Sequence, residues 1–133
     1  MVRRVLLDTH IVIWLATEPK RVPAHLQKLI YNAERRYVSV ISCVEIALKQ
    51  RRHPSAFTFT VELLAKAMVE LQALELPLQH AHGVRLAAIS MHHYDPFDHL
   101  LIAQAIEEQL TFVTVDSEMA AYAQDGLILA GKR

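Results

Sequence analysis

Residues 37–50 read YVSVISCVEIALKQ, and the two halves of this stretch follow different rules. The first is apolar and rich in β-branched residues, as in a strand buried on both faces. The second sets Val44 and Leu48 four apart, on one helical face. A strand over 37–41 running into a helix over 44–50 is predicted, with Ser42 and Glu45 at the S-x-x-E spacing of a capping box. The same alternation continues outward on both sides. Further strands are predicted at 5–7, 74–76, 110–115 and 127–129, and helices at 23–33, 61–71, 80–88 and 96–109. Strands alternating with helices argue for an α/β domain around a mostly parallel sheet, with an irregular connection at 53–57 around Pro54.

The chain of 133 residues is read as a single domain over 1–133, and 53% hydrophobic residues with mean hydropathy +0.19 can build its core. Uncharged stretches such as 37–44 and 110–115 fall far short of the roughly 20 apolar residues a membrane span needs, so no membrane is expected. The start, MVRRVLLDTH, lacks the apolar region and cleavage site of a signal peptide, and the single Cys43 has no partner for an internal disulfide. Both point to the cytoplasm. The net charge is zero but unevenly spread. Residues 1–66 hold 11 Lys and Arg against 5 Asp and Glu, and residues 67–133 hold 3 against 9. The basic clusters Lys49, Arg51, Arg52 and Arg35, Arg36 are compatible with a polyanion partner, and equally with a solvated surface.

In a parallel sheet the carboxyl ends of the strands share an edge, and ligands bind in the crevice there. Asp8 directly follows the strand at 5–7, Glu45 lies in the first turn after the strand at 37–41, and Asp116 follows the strand at 110–115. Asp98 lies in the segment DPFDHLLIAQA at 95–105, after a loop and not a strand. There Asp95, just before Pro96, is the expected N-cap, and Asp98 occupies the third helical position. Each acid taken alone can be explained as a helix-start device. Capping does not require the acids to converge. Converging carboxylates repel one another and raise each other's pKa unless a cation compensates. All-oxygen ligands favour a hard ion such as Mg²⁺ or Mn²⁺, which can activate water and neutralise charge at a scissile phosphodiester.

Four blocks in order, LLDTHIVIWL at 6–15, VSVISCVEIALK at 38–49, HHYDPFDHLLIAQA at 92–105 and FVTVDSEMAAY at 112–122, resemble the PIN-domain family, in particular the VapC-type toxins of toxin–antitoxin pairs. The resemblance implies a three-layer domain and an endoribonuclease dependent on Mg²⁺ or Mn²⁺. It also implies a homodimer, restrained by a small VapB-like antitoxin whose tail covers the active site. Residue by residue, the family's acids match Asp8, Glu45, Asp98 and, at its more variable fourth position, Asp116. Thr114 matches a hydroxyl residue two positions before the fourth acid, and Thr9 stands beside the first. Asp8 and Asp98 are expected to hold the metal most directly, with Glu45 and Asp116 acting through water or orienting the nucleophile. The chain departs from the family after Glu45, where relatives often continue with a Gly-Lys segment and this one has KQRRHPSAFTF. With RNA as substrate, Lys49, Arg51 and Arg52 are candidates to hold phosphates, and His10, beside Asp8, to touch the substrate.

The remaining features have plainer readings. The eight histidines show no zinc spacing and are expected mostly at the surface or in loops. Cys43 is expected to be a small buried apolar residue, and Trp14, at helical spacing with Ile11 and Leu15, part of the core or a dimer surface. An aspartyl phosphotransfer site would carry D-x-D at the first strand, where position 10 is histidine. The three glycines form no phosphate loop. The alternative from another class is a catalytically silent PIN-like module that binds RNA or protein.

Overall fold

The computed structural model describes residues 4–131; positions 1–3 and 132–133 of the expected domain lie outside the described residues. Five strands, β1 (Arg4–Leu7), β2 (Arg35–Ser39), β3 (Leu74–Leu76), β4 (Thr111–Val113) and β5 (Ile128–Ala130), form one sheet in the order β3-β2-β1-β4-β5. Every pairing in it is parallel. The helices are α1 (Thr9–Thr17), α2 (Ala24–Asn32), α3 (Val40–Arg52), α4 (Val61–Leu71), α5 (His80–Ala88) and α6 (Pro96–Glu108). Two 3₁₀ segments, Pro19–Arg21 and Ser117–Asp125, complete the described elements.

Period-two alternation sends the side chains of each strand to opposite faces, and both faces are covered. Val5 and Leu7 of β1 enter one core with Ile11 and Val12 of α1, Leu26 and Ile30 of α2 and Leu64 of α4. Leu6 enters the other, with Leu101 and Ile102 of α6, Phe112 of β4, and Met119 and Tyr122 of the second 3₁₀ segment. Helix α3 contributes to both, through Ile46 on the first face and Ile41 on the second. The result is the three-layer α/β architecture. From β1 the chain winds out to β2 and β3 on one side, then returns to place β4 and β5 on the other. The carboxyl ends of β1 and β4 therefore flank the switch point, where such sheets open a crevice.

The junction at 37–50 differs from its reading. Strand β2 stops at Ser39 and α3 begins at Val40, four residues before the predicted helix. Ser39, not Ser42, is the N-cap, its Oγ accepting from the Ile41 N–H at 3.0 Å. Val40 and Ile41 looked like strand because they are β-branched. Ile41 instead buries its side chain from the first helical turn, which shows tertiary packing overriding propensity. The capping box at Ser42 and Glu45 is thus overturned, and Glu45 lies in the second turn of α3. Helices α4 and α5 match their predicted bounds; α1 and the 3₁₀ segment Ser117–Asp125 were not delimited in the sequence. No helix among the described residues is long and apolar enough to cross a membrane.

Candidate active site

Asp8 is the N-cap of α1, directly after β1, with Oδ1 accepting from the Thr9 N–H at 2.8 Å and Oδ2 from the Thr114 hydroxyl at 2.6 Å. Thr114 Oγ1 in turn accepts from the Asp116 N–H at 3.1 Å, so one buried hydroxyl ties two acids together. Asp116 caps the 3₁₀ segment, accepting from the Glu118 N–H at 2.9 Å. The Thr9 hydroxyl meets that of Ser42 at 2.7 Å and fixes α1 to α3. Glu45 is buried on α3; Lys49 Nζ donates to its Oε2 at 2.6 Å, and its Oε1 is buried with no hydrogen-bond partner.

Asp95 caps α6 as expected, Oδ1 accepting from the N–H groups of Phe97 at 3.0 Å and Asp98 at 3.2 Å. Asp98, one turn in, has Oδ2 3.1 Å from His93 Nε2. Asp8, Glu45, Asp98 and Asp116 all line a single cavity of about 280 Å³, together with Asp95, His10 and Trp14. Asp95 is thus a cap and also part of the acidic wall, a second role that its place before Pro96 did not signal.

Electrostatics follow from crowding in a poorly solvated cleft. Burial pushes the Asp8 carboxyl above the usual carboxylate range, the Thr114 hydrogen bond opposes it, and nearby Glu45 adds to the rise. Asp98 is pushed up to about 7, first by burial, then by the charges of Asp8 and Asp95, with His93 pulling the other way. Ionising these carboxyls together is therefore costly unless a cation enters among them.

Among the described residues, no three His, Cys, Asp or Glu side chains close on a common point as a fully formed metal cage would. The cavity instead fits an ion that keeps much of its water. Its charged donors are carboxylate oxygens, one buried oxygen of Glu45 is unpartnered, and mutual repulsion favours a cation between the acids. Asp8, Glu45, Asp98 and Asp116 line the cavity, with Asp95 beside them, and are the side chains that could hold such an ion.

The positive residues divide. Lys49 is engaged by Glu45, whereas Arg51 and Arg52 stand exposed at the end of the same helix. Arg36 is not a free basic residue: it donates to the carbonyls of Leu71 at 2.7 Å, Ile30 at 3.0 Å and Ala33 at 3.1 Å, closing the ends of α2 and α4. Two histidines depart from the surface reading, His82 and His99 being buried. Cys43 is only partly buried, packed against the first core. Trp14 is partly buried and faces the acidic cavity, with the His10 ring centroid 5.7 Å away and the Arg21 guanidinium 4.3 Å from its own centroid. The contact of His93 with Asp98 carried no signal in the sequence, because a loop's path sets it.

The model of the PIN domain family matches residues 5–125, nearly the whole chain. The chain belongs to the PIN-domain family. Nucleases of this family generally use a divalent metal. The PIN domain is 28% identical over 127 residues to Ribonuclease VapC22 of Mycobacterium tuberculosis (strain ATCC 25618 / H37Rv), with 89% of this chain and 91% of that protein covered. In fold it is similar to VapBC-1 from nontypeable Haemophilus influenzae, with TM-score 0.67, 14% identity and 96% and 97% of the two chains covered. It is also similar to VapBC2 from Rickettsia felis bound to a DNA fragment from their promoter, with TM-score 0.66, 16% identity and 96% and 98% covered.

Proposed function

We propose that this PIN domain is a divalent-metal-dependent endoribonuclease of the VapC type, the toxin of a toxin–antitoxin pair, using Mg²⁺ or Mn²⁺. The observation that carries the reading is the convergence of Asp8, Glu45, Asp98 and Asp116, distant in sequence, on one cavity. The family and the name of the ribonuclease from Mycobacterium tuberculosis support it. A bound divalent ion supplies charge neutralisation at the scissile phosphate and lowers the pKa of attacking water.

The protein's own groups do the rest. Asp8, held in one orientation by Thr9 and Thr114, and Asp98 would hold the cation most directly, and Glu45 and Asp116 would contribute through water or orient the nucleophile. His10 and Trp14 form the less acidic wall, where an RNA nucleotide flanking the cleaved bond lies. Arg51 and Arg52 attract the phosphate backbone, and Lys49 balances Glu45 before it serves RNA. A VapB-like antitoxin partner is supported by the VapBC solved structures, and a homodimer in the cytoplasm completes the reading.

The test is cleavage of a labelled single-stranded RNA. Mg²⁺ or Mn²⁺ should support cutting, EDTA should stop it, and Asp8→Asn should abolish it while circular dichroism stays unchanged. Undiminished cleavage by that mutant removes the mechanism. The partners already held by the individual acids favour one second reading, a silent module that binds RNA or protein. Such a module shifts RNA in a gel without shortening it.

A further inference from the structure

We propose that Tyr122 and His93 form a hydrogen-bonded relay that positions Asp98 for the cation, making them positioning residues of the acidic site. The inference rests on the metal-dependent reading above and deepens it. Tyr122 lies in the 3₁₀ segment Ser117–Asp125 and is fully buried in the second core, yet its hydroxyl faces the loop before α6. The His92 N–H donates to that hydroxyl at 3.0 Å, and His93 Nδ1 lies 2.8 Å from it. The other ring nitrogen, Nε2, lies 3.1 Å from Asp98 Oδ2.

With His93 neutral and Asp98 ionised, these contacts favour one arrangement of the protons. The phenol accepts from His92, so its single hydrogen is free to go to His93 Nδ1. A ring that accepts at Nδ1 carries its proton on Nε2, aimed at the Asp98 carboxylate. The opposite tautomer would set a bare nitrogen lone pair against a carboxylate oxygen. The ring is braced from the side as well, edge-on to His99 at 4.9 Å and to Tyr122 at 5.5 Å between centroids. One Asp98 oxygen is therefore held by His93, and the carboxylate's orientation toward the cavity is set from the far core. Outer partners of this kind typically govern metal affinity by about 10–100-fold.

The test uses the full chain and two readouts. In metal-free wild type at pH 8.5, nitrogen-15 NMR of the imidazoles should show His93 protonated at Nε2, and Tyr122→Phe should shift the Nδ1 resonance. In calorimetric titration with Mn²⁺ alone, Tyr122→Phe and His93→Ala should each weaken binding by about 10-fold, and the double mutant by no more than either. His93→Gln, whose amide can still donate to Asp98, should bind near the wild-type level and be insensitive to Tyr122→Phe. If Tyr122→Phe does not fold, the contrast of His93→Gln with His93→Ala carries the same test. A ring protonated at Nδ1, or a Tyr122→Phe protein that melts earlier but binds Mn²⁺ unchanged, overturns the relay. Wild type that binds no Mn²⁺ while His93 keeps its Nε2 proton supports the hydrogen-bonded geometry and contradicts the proposed function instead.

Discussion

Two buried polar clusters lie on this sheet, and they are built to opposite ends. In the first, Ser39 donates to Gln104 Oε1 and Gln104 donates to the Pro77 carbonyl at 3.2 Å. His82 Nδ1 accepts from the Gln79 N–H at 3.0 Å while its Nε2 faces Glu108 at 2.9 Å. Each of these groups meets a complementary partner, and the cluster clamps β2, α5 and α6 together. In the second, Asp8, Glu45 and Asp98 share a cavity with Asp95 and Asp116, one Glu45 oxygen is unpartnered, and two carboxyls are raised in pKa. A satisfied network rigidifies a fold; an under-compensated one costs stability and is kept where a missing charge is to be supplied.

The contrast breaks first at the acidic cluster. Asp98→Asn should reduce metal-dependent RNA cleavage by about 10³-fold or more, measured as initial rates on labelled RNA, because it removes a proposed direct ligand. The same change should leave the melting temperature equal or higher, since it discharges a crowded cavity; a large fall would mean that Asp98 serves the fold. In the satisfied cluster the effects should reverse. Gln104→Leu leaves the Ser39 O–H without its acceptor and the Pro77 carbonyl without its Gln104 donor, and should cost about 1–3 kcal/mol in chemical denaturation, with Mn²⁺ affinity unchanged.

The pH dependence sharpens the difference. Asp98 has a folded pKa of about 7, above the unfolded value of about 3.9, so the folded state binds the extra proton between them. Metal-free stability should therefore rise as pH falls from 8 toward 5, by about 3–6 °C in Tm, and the trend should be weaker in Asp98→Asn, where the raised Asp8 carboxyl alone still contributes. Smallest is the effect at the rim. Arg51→Ala with Arg52→Ala should weaken RNA binding a few-fold and flatten its salt dependence by roughly 0.7 per lost phosphate contact, with metal affinity unmoved.

How much the sequence disclosed depended on whether the information was local. Helices α4 and α5 were readable to the residue, because an amphipathic period carries its own boundaries. The start of α3 was not, because Val40 and Ile41 have strand chemistry and are claimed for the helix by packing on α6 and the Ser39 cap. Asp8 was legible as the residue after β1; Asp116 was read as directly following a strand over 110–115, whereas β4 ends at Val113 and Asp116 caps the 3₁₀ segment, yet both line the cavity. The pairing of Lys49 with Glu45 was available as an i, i+4 spacing, but chain proximity to a polyanion site suggested phosphate contact instead. The cap role of Asp95 was legible from Pro96, but its place in the acidic wall and the contact of His93 with Asp98 were not. The first depends on how the loop before α6 approaches the other acids, the second also on a phenol 29 residues from His93, which no periodicity encodes.

The most direct measurement is a calorimetric titration of the metal-free chain with Mn²⁺, beside Asp8→Asn and Asp98→Asn. Saturable binding by the wild type, lost in both variants while their circular dichroism is unchanged, is the expected result. Absence of binding in the wild type, or equal binding in all three proteins, would contradict the claim that these carboxylates converge to hold a cation.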